Sequence, residues 1–389
     1  MKRWSAMAIP AVLVCAVFLF RNPGVTADQP AAAPSPQPAP SPVVVPEIPF
    51  DAATDFLTYS ADMNFGEVLG VAINSKNRLV VLNHPGSATQ GPLYGNASTE
   101  LLEFDLATGR FVREIGKKVY GLGYGHAIRF DRHDNLWVVD KGTNTAVRFN
   151  PEGYVTMNLG RRPEGPDDPE ESWFHGRGGP PPPPAQDGYF RGPTDIAFDA
   201  DDNIYISDGY TNARVAKYDK RGAWVTSWGT RGSGGPHADQ NPGQFNTPHN
   251  IAVDRSNNVY VADRNNRRIQ VFDADGTFRR FIFLNAVYDK TRHPVLGNLA
   301  ASPPDETQPW TLCITGGATQ YLYTSDSEPG RIYKMTLDGR ILGTMGISGR
   351  DVKQFNWIHS LACPTDDTLY VADMNNWRIQ KLTLHSPTR

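Results

Sequence analysis

From Leu69 to Leu384 one pattern of apolar and polar positions recurs along the chain. The clearest copy, residues 245–276, reads FNTPHNIAVDRSNNVYVADRNNRRIQVFDADG. An alternating apolar stretch leads to an Asp/Asn-rich turn. A second stretch ends in Asp263, and a short turn, RIQVF and a DG turn follow. Period-two alternation sends successive side chains to opposite faces, and the Asn, Asp and Gly between the runs supply turn geometry, so each copy predicts antiparallel strands joined by hairpins. Further copies start at Phe190, Phe355 and Tyr124, with weaker ones from Leu69 and across 312–339. Six copies at intervals of roughly 45–70 residues predict an all-β fold, a six-bladed β-propeller over residues 51–389. One blade cannot bury both of its faces, so the ring must close. The last copy stops after its third strand, and a segment near 56–60 is expected to supply the missing outer strand. The insert 163–186, with five prolines at 180–184, is expected as a face loop between the second and third blades.

Alignment of the copies on the residue that ends the second strand (Asn83, Asp140, Asp208, Asp263, Asp326 and Asp373) brings out a second regularity. Fourteen residues earlier stand Leu69, His126, Thr194, His249, Leu312 and His359. With nine histidines in the chain, three in six given positions would arise by chance at roughly 10⁻⁴. The first strand of a propeller blade lines the central channel, so equivalent residues of alternate blades lie about 120° apart at one height. Three imidazoles converging there leave a fourth position open, the pattern of a catalytic zinc site. All-imidazole ligation suits Zn²⁺, with copper, iron or nickel as alternatives. The competing reading is that each histidine caps the channel wall on a backbone carbonyl. The recurring Asp is read as a structural turn former. Among the other histidines His84 stands out, because it follows Asn83 at a strand end.

Composition narrows the classes. The net charge of −3 and pI near 6.3 argue against nucleic acid as a partner. Lys2 and Arg3 precede an apolar run, and Val25-Thr26-Ala27 offers a cleavage site, so residues 1–27 read as a signal peptide for a secreted or periplasmic protein. An uncleaved membrane anchor is the alternative. Residues 28–50, rich in Pro and Ala, read as a linker outside the fold. Cys313 and Cys363 form either one disulfide or two buried thiols. GLGYG at 121–125 lacks the strand–helix context of a dinucleotide loop. A closed ring needs no second copy to bury its core, so a monomer is expected.

The repeats resemble NHL repeats, and in detail peptidyl-α-hydroxyglycine α-amidating lyase. The likeness runs over most of 65–384 and is tightest in SDGYTNARV at 207–215, GQFNTPHNIAV at 243–253 and VADRNNRRIQVF at 261–272. It implies a six-bladed propeller with an axial zinc on His126, His249 and His359, the trio that the register gives independently. It further implies Tyr210 as a base at the metal and Arg264 as a partner for a substrate carboxylate. Several departures stand beside it, the family's disulfide cysteines and attached monooxygenase domain being absent among them. The family's first-blade Arg is absent where this chain reads VLNHPG; the Asp after the last zinc histidine is Ser360, which puts a calcium ion in doubt; and Trp357 replaces a Met. The expected function is a zinc-dependent lyase cleaving a C–N bond of a small or peptide-like hydroxylated substrate. The alternative is a non-catalytic propeller that binds a protein, peptide or glycan around a structural metal. Tyr210 and an open coordination position favour the enzyme.

Overall fold

Alternation with both faces apolar has one packing solution, a sheet sandwiched between two like sheets. In the strand Arg78–His84, Leu79 and Val81 pack into a cluster with Tyr370, Ala372 and Ile379, whereas Val80 and Leu82 pack into one with Ile128, Leu136 and Val138. Every junction between adjacent sheets is filled this way, by residues almost wholly removed from solvent. The computed structural model describes residues 41–85, 99–117, 120–161, 184–232, 241–288, 307–326 and 330–385. Within the compact unit Ser35–Arg389 these form six four-stranded antiparallel sheets, the blades of a propeller.

The first strands, which touch one another around the axis, are Glu67–Ile73 (blade 1), Gly125–Phe130 (blade 2), Asp195–Phe198 (blade 3), Pro248–Val253 (blade 4), Pro309–Ile314 (blade 5) and Ile358–Ala362 (blade 6). The second strands end at His84, Asp140, Asp208, Asp263, Asp326 and Asp373. Blades 1 to 5 are each continuous in sequence. Blade 6 takes its outer strand from Phe50–Ala53, which pairs antiparallel with Arg378–Leu384 through Phe50↔Leu384 and Ala53↔Lys381. Closure is thus by an N-terminal strand, as expected, but at 50–53 and not near 56–60. Thr58 of the expected segment instead bridges Arg110 on the outside of blade 1.

The linker boundary also moves. Residues 41–49, assigned to the linker on their proline content, run along the outer edges of blades 4 and 5. Val43 bridges Ala286, Glu47 bridges Thr344, and Ile48 is buried with Tyr323 and Phe355. Prolines at 42, 46 and 49 suit an edge segment because they remove only donors that face outward. Cys313 and Cys363 form a disulfide, Cα–Cα 6.1 Å, joining the ends of the first strands of blades 5 and 6. No described helix is long and apolar enough to cross a membrane. The signal peptide and most of the 163–186 insert lie outside the described residues.

A chain beginning at Thr54 would lose the blade 6 edge pairing and the cover over Leu382 and Leu384. Its thermal midpoint is expected to fall by about 5–10 °C, several kcal/mol for a domain of this size. An unchanged melting curve would show that Phe50–Ala53 does not close the ring.

Candidate metal centre

The centre begins with the carboxylate that ends the second strand in blades 2 to 6. In blade 4 Asp263 is fully buried and accepts the Asn246 N–H at 2.7 Å, the Asn266 side-chain amide at 2.9 Å and the Arg268 guanidinium at 2.9 Å. In blade 6 Asp373 repeats this with Asn356 N–H at 2.7 Å, Asn376 and Arg378. In blade 2 Asp140 has no Arg; it accepts backbone N–H groups of Gly123, Tyr124 and Gly142. The bonds from Asn246, Asn356, Gly123 and Tyr124 pin the loop leading into the innermost strand, two or three residues ahead of a histidine. The turn-former reading of these acids holds, and what they position is the channel.

Pinned in this way, His126, His249 and His359 are buried and offer ring nitrogens within 4.8 Å of one another. A tetrahedral ion with bonds of ~2.1 Å to nitrogen needs its donors roughly 3.4 Å apart, so the three rings would have to draw inward to hold one. Their Nδ1 atoms face backbone carbonyls: Thr194 at 2.6 Å, Trp310 at 2.9 Å and Leu69 at 2.8 Å. A carbonyl only accepts, so each Nδ1 carries the hydrogen and each Nε2 presents a lone pair inward. The carbonyl always belongs to the following blade at the register position of the histidine. Blade 5 corrects the expected alignment here. Pro309 pairs with Asp326 as Pro248 does with Asp263 and Ile358 with Asp373, so the register residue of blade 5 is Trp310, not Leu312. The first hairpin of blade 5 runs two residues longer and shifts the count.

Capping a wall carbonyl and ligating a metal, set against each other in the sequence, call on opposite nitrogens of one ring and do not exclude each other. Nε2 of His249 is buried without a hydrogen-bond partner among the described residues, a costly state for an acceptor and one that a cation relieves. Burial first, and repulsion from His359 and His249 second, hold His126 well below the usual histidine range. Burial and the Arg264 charge do so for His249, and burial takes His359 down to about 3. All three are neutral at physiological pH.

Tyr210 follows Gly209, where a Cβ would lie 1.9 Å from the Pro248 carbonyl oxygen, so only glycine lets blade 4 approach this closely. The Tyr210 hydroxyl donates to Nε2 of His126 at 3.1 Å. Burial alone would raise its pKa; the charges and hydrogen bonds of Lys141 and Arg264 outweigh burial and hold the phenol below its ordinary value. Lys141 Nζ lies 4.9 Å from the Tyr210 ring centre, and the Arg264 guanidinium 4.2 Å from that of Trp310 and 5.8 Å from that of Tyr210. All five expected site residues thus meet at one mouth. The sequence reading missed Lys141. Its signal is the register: it follows Asp140 as Arg264 follows Asp263.

The departures have structural counterparts. Where the family's first-blade Arg is absent, His84 is buried, with Nε2 on the Gly125 carbonyl at 3.0 Å and Nδ1 3.8 Å from Glu67. Trp357 packs edge-on to Trp310, and the Ser360 hydroxyl accepts the Val71 N–H. Three residues beyond His126, Arg129 crosses the channel to Asp195 at 2.7 Å, the Asn250 side-chain oxygen at 3.0 Å and the Leu312 carbonyl at 3.4 Å. Beyond it a cavity of ≈ 590 Å³ opens at the opposite mouth, lined by Ser75, Phe198 and the Cys313–Cys363 bridge.

The NHL repeat model matches residues 190–218 and 245–272, the body of blade 3 and of blade 4. Blades 3 and 4 thus match the NHL repeat. Over a longer span the propeller is similar to the mouse (Mus musculus) peptidyl-glycine alpha-amidating monooxygenase, 27% identical over 340 residues, covering 82% of this chain and 30% of that protein. It is also similar to peptidyl-alpha-hydroxyglycine alpha-amidating lyase 1 of Drosophila melanogaster, 26% identical over 304 residues, covering 76% of this chain and 50% of the fly protein. The chain thus spans between about a third and half of these relatives. Among solved structures, a streptogramin B lyase superposes with a TM-score of 0.52 at 13% identity, covering 86% of this chain and 98% of its own; that likeness shows the fold.

The buried neutral histidines fix the acid behaviour of the metal-free propeller. As pH falls through about 6.5 the unfolded chain takes up protons at these residues and the folded chain does not, so stability falls with pH, by at most ~1.4 kcal/mol per unit for each histidine. For His359 the loss continues down to about 3. Urea unfolding of chelator-treated protein at several pH values from 7 to 4.5 should show a steeper decline than the His126→Gln/His249→Gln/His359→Gln protein. Parallel declines would refute the neutral assignment.

Proposed function

We propose that this protein is a zinc-dependent lyase of the amidating-lyase type, acting on a hydroxylated substrate that carries a carboxylate beside the reacting carbon. The observation that carries the reading is the convergence of three neutral imidazoles, each oriented through Nδ1, on a phenol held between two cations. His126, His249 and His359 would hold the metal, and when bound it supplies Lewis-acid polarisation of a substrate hydroxyl.

The protein's own groups carry the rest. Tyr210, held toward its ionised form by Lys141 and Arg264, accepts the hydroxyl proton. The O–H electron pair becomes the new C=O bond as the C–N bond breaks. The nitrogen keeps the C–N pair and receives the proton back from Tyr210. For a peptidyl-α-hydroxyglycine the products are the peptide amide and glyoxylate, with every atom accounted for and no water or oxidant consumed. Arg264, its plane stacked on Trp310, pairs with the carboxylate and fixes which face of the substrate meets Tyr210.

Elemental analysis of the purified protein beside His249→Ala, with a glyoxylate-release assay on a model peptidyl-α-hydroxyglycine, tests this directly. About one equivalent of zinc, lost in the variant together with glyoxylate release, is the expected result. Zinc without glyoxylate would redirect the search to other hydroxy acids, and no metal in either protein would leave a binding propeller. In Tyr210→Phe, zinc should be retained while kcat falls roughly 10²–10⁴-fold; undiminished turnover would remove Tyr210 from the chemistry.

A further inference from the structure

The register that places the histidines continues along the same innermost strands toward the opposite mouth. Three residues past it stand Ala72, Arg129, Ala197, Ala252, Cys313 and Ala362, so five blades carry a small side chain at this height and blade 2 a long one. One residue further come Ile73, Phe130, Phe198, Val253 and Ile314, all half-buried, and Cys363 of blade 6 completes the circle. The small layer leaves a hollow and the bulky layer makes a collar around it. Both layers line the cavity of ≈ 590 Å³, a size within the roughly 300–1,000 Å³ of small-molecule sites. The Cys313–Cys363 bridge ties one layer to the other between blades 5 and 6. The turns that rim this mouth, at 74–77, 131–134, 199–202, 254–257, 315–320 and 364–367, all lie among the described residues.

The floor of the chamber is Arg129, the one ionisable side chain among the described residues that line it. It stands where four other blades have alanine, and it uses the room they leave to reach blades 3, 4 and 5. Its bonds to Asp195 at 2.7 Å, to the Asn250 side chain at 3.0 Å and to the Leu312 carbonyl at 3.4 Å all leave from Nη2. Nε and Nη1 have no partner among the described residues, and the side chain is 18% exposed, so their N–H groups are donors open to the chamber. Asp195 pairs with the guanidinium, so the floor offers these donors without a net charge. A ligand carboxylate would bring an uncompensated charge into a space walled by alkyl and aryl groups. A neutral carbonyl brings two acceptor lone pairs without that cost.

We infer that this chamber is a second small-molecule site, taking a compact apolar ligand that ends in a neutral carbonyl. The carbonyl accepts from Arg129 at the floor, and the collar encloses the apolar body. The site lies on the far side of Arg129 from the three histidines and does not depend on a metal.

The test is a fluorescence titration of the full chain with 2-naphthamide and with 2-naphthoate, for wild type, Arg129→Met, Val253→Trp and His249→Ala, with melting curves alongside. Wild type should bind naphthamide at a single site and at least about tenfold more tightly than naphthoate. Arg129→Met should weaken naphthamide roughly tenfold through loss of the donors. Val253→Trp narrows the collar without touching Arg129 and should weaken both ligands, whereas His249→Ala should bind as wild type does. Naphthoate bound as well as naphthamide overturns the neutral-carbonyl class, and unchanged affinity in Arg129→Met removes the floor from recognition. Affinity lost in His249→Ala, or kept in Val253→Trp, overturns the placement at this mouth, and no binding by wild type overturns the site. If Arg129→Met fails to fold, Val253→Trp and His249→Ala still decide. None of these outcomes bears on glyoxylate release, so this site and the lyase reading stand or fall separately.

Discussion

A buried carboxylate at the end of the second strand is the constraint on which the rest of this propeller depends. Removing such a charge from water is affordable only when its oxygens are filled by donors, and each filled oxygen fixes a piece of chain. In blades 3, 4, 5 and 6 an Arg five or six residues on supplies one donor, in Asp208–Arg214, Asp263–Arg268, Asp326–Arg331 and Asp373–Arg378. The loop before the first strand supplies another in blades 3, 4 and 6. In blade 1 the neutral amide of Asn83 does the same for the Gly66 N–H. Hairpin, loop and innermost strand are thereby locked together, and the height at which the innermost residues meet on the axis is set.

The chemistry follows from what stands at that height. Alternate register positions carry histidine, and each histidine borrows a carbonyl from the intervening blade to fix its tautomer. The cations come from the strand ends just above, on blades 2 and 4, and enclose the tyrosine of blade 3. Neutral donors lie inside and positive charge lies at the rim. That arrangement favours a metal below and an anion above, and it lowers the energy of a phenolate between them.

Much of this was legible in the sequence, because repetition turns a distance in the chain into a position in space. The blade count and the histidine trio follow from the repeat and its register, while Tyr210 and Arg264 were reached through the family resemblance. Counting fails where a turn changes length, which is why the two extra residues in blade 5 put Leu312 in place of Trp310. It is silent where a segment has no repeat to match: FDAA at 50–53 carries little alternation, and only the open edge of blade 6 makes it a strand. Lys141 was hidden for another reason. A lone lysine after a strand is unremarkable until the ring brings it over Tyr210.

The bond from His359 to the Leu69 carbonyl crosses the seam where the last blade meets the first. The other two histidines are oriented by blades that follow them in the chain, but this one is oriented by residues synthesised nearly three hundred positions earlier. A chain that has built five blades and not yet docked its ends therefore holds two of the three donors in place and lacks the third. Such an open form would grip an ion far more weakly than the finished ring, so any metal this centre took up would be held firmly only by molecules whose two termini have met.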